Sequence, residues 1–189
     1  NSDADTIRDT AIAQPLLAPV DVFSQFGGLE INTSSTALQA LTDAVLYVTD
    51  YEYDSADGHA SRIMAVAALR DVLEAFSADG LPSAAALNAQ VARDIERLAA
   101  LQNDDGGFPY WQRGQLSIPW QSIQSTHALV LADQAGYQVP DATLAAALDH
   151  LANIESFIPT DYAVEVRTTL SAYALHVRNL AGQRDSTKA

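Results

Sequence analysis

The chain has 189 residues, 48% of them hydrophobic, and its 24 acidic residues against 10 basic ones give a formal net charge of −14. That much apolar side chain excludes wholesale disorder, and an acidic surface without a basic stripe excludes nucleic acid and anionic lipid as partners. The absence of cysteine removes disulfide frameworks, thiolate zinc sites and cysteine nucleophiles together.

Residues 1–34 read differently from the rest. Residues 1–10 are polar, without an apolar signal core, and residues 11–20 hold two prolines. Val22 and Phe23, then Leu29 to Asn32, are short β-like pieces set apart by Gly27 and Gly28. The expectation is a lead-in with short β segments over 1–34 and a helical domain over 35–189. No apolar run approaches the roughly 20 residues that cross a bilayer. The segment is therefore expected to make no membrane contact, with any export signal or anchor outside it.

From Ser34 or Ser35, either of which suits a cap, a first helix places Leu38, Leu41, Val45 and Val48 on one face. A polar loop over 49–58 follows. The second helix is expected over 59–76, with Ile63, Met64, Ala67, Val72 and Phe76 inward, and the turn at 77–80 ends it. Pro82 and Ser83 suit the start of a third, whose Leu87, Val91, Ile95, Leu98 and Leu101 recur every three or four residues. After a long loop over 102–119, a fourth helix spans 120–135 and stops at Gly136. Asp141 is expected to cap a fifth, with Leu144, Leu148, Leu151 and Ile154 aligned. Asp161 is expected to cap a sixth, with Val166, Leu170, Tyr173, Val177 and Leu180 inward and Gly182 behind. Six amphipathic helices joined by shorter and longer loops predict an all-α fold of three helical hairpins. Hairpins of about 40 residues stack into solenoids or close into α/α toroids, and periodicity does not choose between the two.

The loop between the first two helices reads Tyr51, Glu52, Tyr53, Asp54, Ser55, Ala56, Asp57, Gly58, and continues into His59, Ala60, Ser61 and Arg62. It resembles the thioester loop of the alpha-2-macroglobulin and complement family. There the pattern is Tyr-Pro-Tyr, one residue, Cys-x-Glu-Gln, then a helix opening on a small residue, Ser and Arg. Further stretches fall in the family's order. They are Leu38 to Leu41 with Tyr47, Arg97 to Phe108 with Trp111, and Thr126 to Leu129 running on to Pro140. The resemblance covers about 29–182. Its Asp-Gly-Gly-Phe turn is shared with terpene cyclases and other α/α toroids, so that turn specifies the fold, whereas the loop at 51–62 specifies the family.

Where the family has the cysteine, glutamate and glutamine of its thioester, this chain has Ser55, Asp57 and Gly58. A serine hydroxyl is a far weaker nucleophile than a thiolate, and Gly58 offers no side-chain carbonyl. The covalent step therefore does not carry over. The resemblance implies a partial α/α toroid of about six helices, a fragment of a larger bacterial protein of the periplasm or cell envelope. Any membrane tether would lie in a segment not present here. The implied role is non-covalent protease trapping or inhibition, or a structural role in host-defence-like envelope protection. Neighbouring macroglobulin-type domains of the parent chain, and proteases, are the implied partners. The implied protein is no enzyme and needs no cofactor. Tyr51 and Tyr53 match residues that pack the family's thioester against a neighbouring domain.

Plainer readings stand beside these. Ser55 and His59 suggest a nucleophile and base, but a capping serine or aspartate beside an exposed histidine is the favoured reading, with Asp57 as the cap. Asp104 and Asp105 carry the alternative function, a carbohydrate- or isoprenoid-active toroid enzyme, against a Gly-assisted turn. His59, His127, His150 and His176 are scattered without metal-ligand spacing, so no metal site is expected. Tyr110, Trp111 and Trp120 suit a binding groove or an interdomain seal, and both readings stay open.

Overall fold

The structure, a computed structural model, describes residues 38–51, 53–76 and 82–183. Within them lie six α-helices: α1 (Leu38–Thr49), α2 (Ala56–Phe76), α3 (Ala84–Leu101), α4 (Pro119–Gln134), α5 (Asp141–Ala152) and α6 (Val164–Leu180). A single 3-10 turn, Ile154–Ser156, sits between the last two. The described residues contain no strand, and the expected β lead-in over 1–34 lies outside them.

The even-numbered helices form a row: α2 packs most extensively on α4, and α4 on α6. Outside this row, α1 and α3 lie against α2, while α5 bridges α4 and α6. Two apolar clusters fill the layers. One gathers Ile63, Val66, Val91, Ile95, Leu98 and Leu129 around Phe108. The other joins Ile123, Val130, Leu148, Leu151, Leu170 and Val177.

α3 is the helix most plainly written in the sequence. Ser83 accepts a hydrogen bond from the Ala86 amide at 3.2 Å, satisfying one open N–H of the first turn. Its buried stripe of Leu87, Val91, Ile95 and Leu98 matches the expected one. α4 follows a different rule. Pro119 opens it, and Gln121, Ser122, Ile123, Ser125, Thr126, Ala128, Leu129, Val130 and Ala132 are all buried. Several of its buried polar groups bond locally, although Gln121 Oε1 and Gln124 Oε1 have no hydrogen-bond partner among the described residues. Thr126 Oγ1 donates to Ser122 O at 2.7 Å, and Gln121 Nε2 donates to Ser125 Oγ at 3.0 Å.

Several expected boundaries move. α2 begins at Ala56, three residues before His59, and Asp57 stands inside its first turn rather than at the cap. Asp141 is the first residue of α5 after Pro140, with no side-chain cap bond. Asp161 lies in the turn ahead of α6, which starts after Ala163, again with no side-chain cap bond. Val166 was expected inward but is 45% exposed, in a stretch over 161–169 whose residues are all exposed. Ile154 belongs to the 3-10 turn rather than α5, yet stays buried.

Candidate functional site

The start of α2 is built by three segments that meet. Ser55 Oγ accepts from the Gly58 amide at 3.1 Å, and Ser55 is 2% exposed, so the serine is the helix cap. The Ala56 amide donates to Tyr110 O at 3.0 Å, hanging the helix start on the loop that joins α3 to α4. Asp57 in the first turn complements the helix dipole. Gly58 is tightly enclosed: a Cβ there would sit 3.0 Å from Tyr53 O and 3.3 Å from Ser55 Oγ. A side chain at 58 would need Tyr53 O and Ser55 Oγ to give way by a few tenths of an ångström.

His59 is not the exposed residue expected from its neighbours. It is 3% exposed, as are its partners Arg62 (5%) and Asp94 (1%) to within a few per cent. Its Nδ1 lies 2.7 Å from Asp94 Oδ1, and its Nε2 lies 2.8 Å from Asp54 Oδ1. Arg62 grips the same Asp94 with two donors on one edge of its guanidinium, Nε to Oδ2 at 2.9 Å and Nη2 to Oδ1 at 2.8 Å. Its Nη1 donates to Tyr51 O at 3.0 Å, which ties the aromatic loop to the buried pair. Burial alone would raise the Asp94 carboxyl. The hydrogen bonds from His59 and Arg62, the Arg62 charge and a bond from Gln90 outweigh it, leaving the group below its ordinary value.

Ser55 and His59 are therefore brought together along the helix without forming a nucleophile–base pair. The serine oxygen holds the helix cap, and both imidazole nitrogens face carboxylates. Asp94, the acceptor that holds His59 and Arg62, was missed from sequence. Its only signal was a charge set between Val91 and Ile95 on an apolar stripe.

The aromatic residues gather in two places. Tyr51 and Tyr53 pair with ring centroids 5.2 Å apart, and Tyr110 and Trp111 pair at 5.1 Å. These four surround the α2 start, and Tyr53 (62%) and Trp111 (49%) are the most exposed of them. Partial burial, then the facing Asp57 and Tyr51 charges, push the Tyr110 hydroxyl above its usual range. Trp120 is separate: it packs on Tyr173 of α6 in a tilted pair, with ring centroids 5.6 Å apart.

Asp104 and Asp105 take unlike structural roles. Asp104 is an exposed partner of Arg113 at 2.7 Å. Asp105 Oδ1 accepts from the Gly107 amide and from Ser117 Oγ, both at 2.9 Å, and closes the turn. Gly106 there has φ +78°. His127 Nδ1 lies 2.9 Å from Tyr173 OH, and its ring meets His176 edge-on at 5.9 Å. Among the described residues no group of three or more His, Asp or Glu side chains is placed to hold a metal ion.

No protein-family model matches the chain. In sequence it is 29% identical over 123 residues to circularly permutated Ras protein 2 of Dictyostelium discoideum, covering 62% of this chain and 3% of that protein. It is 28% identical over 134 residues to an alpha-2-macroglobulin homolog of Nostoc, covering 68% of this chain and 7% of that protein. In structure it matches Escherichia coli alpha-2-macroglobulin, solved from domain MG7 to the C-terminus. That match has a TM-score of 0.68 and 21% identity, over 78% of this chain and 24% of that one. Salmonella alpha-2-macroglobulin reacted with methylamine matches at 0.67 and 20% identity, over 78% of this chain and 10% of that one. The chain thus spans a small part of each relative. The resemblance read from the loop at 51–62 is to the right group of proteins: this chain has a fold found in bacterial alpha-2-macroglobulins and is similar to them in sequence.

Proposed function

We propose that the chain is a thioester-type domain of a bacterial alpha-2-macroglobulin-like protein that has lost the thioester and works by non-covalent docking. In this reading it belongs to an envelope or periplasmic protein that traps proteases by shape change, or that serves structurally beside the trap. It is a binding module and not an enzyme. Residues 55 to 58 carry the proposal. A serine hydroxyl engaged as helix cap stands where relatives would need a thiolate, and a glycine pressed on Tyr53 O stands where they would need an acyl group. The four aromatic rings around that point are the surface a neighbouring macroglobulin-type domain would cover, whether or not a bond lies beneath.

The mechanism is steric: cutting a bait segment elsewhere in the parent chain frees this domain from its neighbour, and the parent closes on the protease. The test is the intact mass of the full parent protein after exposure to a protease and to methylamine. Unchanged mass over residues 55–58 is expected. A covalent adduct there overturns the proposal. The enzymatic alternative is not favoured, since Asp105 is spent on its own turn and Asp104 on an exposed ion pair.

A further inference from the structure

Beside the aromatic rim is a cavity of about 260 Å³ that the docking surface alone does not explain. Ala100 and Leu101 of α3 give it apolar lining, with Trp111 beside them. His59, Arg97, Arg113 and Asp54 supply its polar lining. The chain carries 10 basic residues against 24 acidic ones, yet two of its arginines line this one small space.

The charges are unevenly committed. Asp54 is held on His59 Nε2 at 2.8 Å, and the far side of that ring is fixed by Asp94. Arg113 is held by Asp104, but both side chains are largely exposed, at 58% and 97%. An ion pair so open to water contributes little and exchanges partners easily. Arg97 has no hydrogen-bond or ion-pair partner among the described residues. The cavity thus presents one open guanidinium and one exchangeable one next to an indole face.

We propose that this cavity binds a carboxylate carried on a peptide, with the carboxylate on Arg97 and Arg113 and the adjoining apolar group against Trp111 and Leu101. Guanidinium groups match carboxylates with paired, directional hydrogen bonds, and the lining volume suits one side chain or chain end rather than a folded surface. The incoming group replaces Asp104 on Arg113 and leaves the Asp54–His59 contact in place. The inference deepens the docking reading by naming what the partner presents there.

The test titrates the 189-residue chain with small probes while following the indole N–H signal of Trp111 by NMR, with that of Trp120 as internal reference. N-acetyl-leucine presents a terminal carboxylate, N-acetyl-glutamate α-amide presents a side-chain carboxylate, and N-acetyl-leucinamide presents none. Saturable shifts of the Trp111 signal with either acid, and none with the amide, are expected; the acid that binds more tightly identifies the source. Arg97→Gln and Arg113→Gln should each weaken binding about tenfold, as loss of one charge-assisted bond does. Arg93→Gln, which alters an exposed arginine bonded to Gln90 outside the cavity, should leave it unchanged. Equal shifts from the amide, no saturation with either acid, or equal weakening by Arg93→Gln overturns the proposal. The probes involve no partner domain, so their failure leaves the docking reading intact, while an amine adduct at 55–58 would sink that reading alone.

Discussion

The imidazole of His150 holds the carbonyl oxygen of Asp105, Nδ1 to O at 2.9 Å, across 45 residues of chain. The ring is 3% exposed and stacks on Phe157 with centroids 3.9 Å apart. Its Nε2 is buried without a hydrogen-bond partner. The turn closes directly over it: a Cβ on Gly107 would lie 2.6 Å from the ring, and one on Gly106 would lie 3.3 Å from His150 Cβ. The loop that presents Tyr110 and Trp111 is therefore anchored on a neutral histidine.

Stability should accordingly depend on pH. Burial pushes His150 below its ordinary 6.5, although the Asp105 carbonyl and carboxylate pull the other way. The folded state then binds a proton less readily than the unfolded state. Stability is complete above pH 6.5 and declines as pH falls from there toward the folded value. Burial, then the His176 charge, lowers His127 as well, so its contribution has the same sign. Urea unfolding across this range should show the decline, and His150→Gln, which keeps a donor but does not titrate, should shrink it. An unchanged slope in that variant would remove His150 from the account.

The turn itself should resist substitution unevenly. Gly106 combines φ +78° with a would-be Cβ only 2.2 Å from Ala146 O, so Gly106→Ala faces both backbone strain and collision. A loss of about 3 kcal/mol or more in urea unfolding is expected. Gly114 has φ +91° but nothing within 4 Å. Gly114→Ala should cost only the conformational part, about 1 kcal/mol.

Asp94→Asn should be among the most damaging single changes. It strips the buried Arg62 of its counter-charge and His59 of one of its two carboxylates, leaving Asp54 on Nε2, and breaking a buried pair on one side costs roughly 3–5 kcal/mol. The carboxyl lies below its ordinary 3.8 in the folded chain. The wild-type contribution is therefore present above pH 3.8 and disappears as pH falls through the folded value, where the two proteins should converge. Denaturation curves at neutral and acid pH check both halves. A difference that persisted unchanged into strong acid would place the loss elsewhere.

Much of the architecture was legible because it rests on local pattern. Leu87, Val91, Ile95 and Leu98 announce a helix and its buried side, and Ser83 announces its start. The loop at 51–62 announced the relatives. What escaped depends on partners distant in sequence. From sequence Asp57 reads as the cap, and only the position of Gly58 N decides for Ser55 instead. His59 reads as a surface residue until α3 delivers Asp94 from 35 residues away. The α4 segment shows little amphipathic pattern because most of it is covered, with a line through Trp120, Gln124, His127, Leu131 and Gln134 partly open, a condition that periodicity does not register. Val166 fits the helical repeat, but it stands in a stretch over 161–169 whose residues are all exposed.

The enclosure of α4 has a consequence for how such a chain drifts over time. Outside the partly open line through Trp120, Gln124, His127, Leu131 and Gln134, this helix offers no side on which a larger or charged residue is harmless, so its buried positions between Gln121 and Ala132 should be the slowest to change. The rings above α2 sit on loops and answer to no such confinement. Here the mast holds its spelling for its own sake, and the part that meets the outside holds its spelling only as long as its partner does.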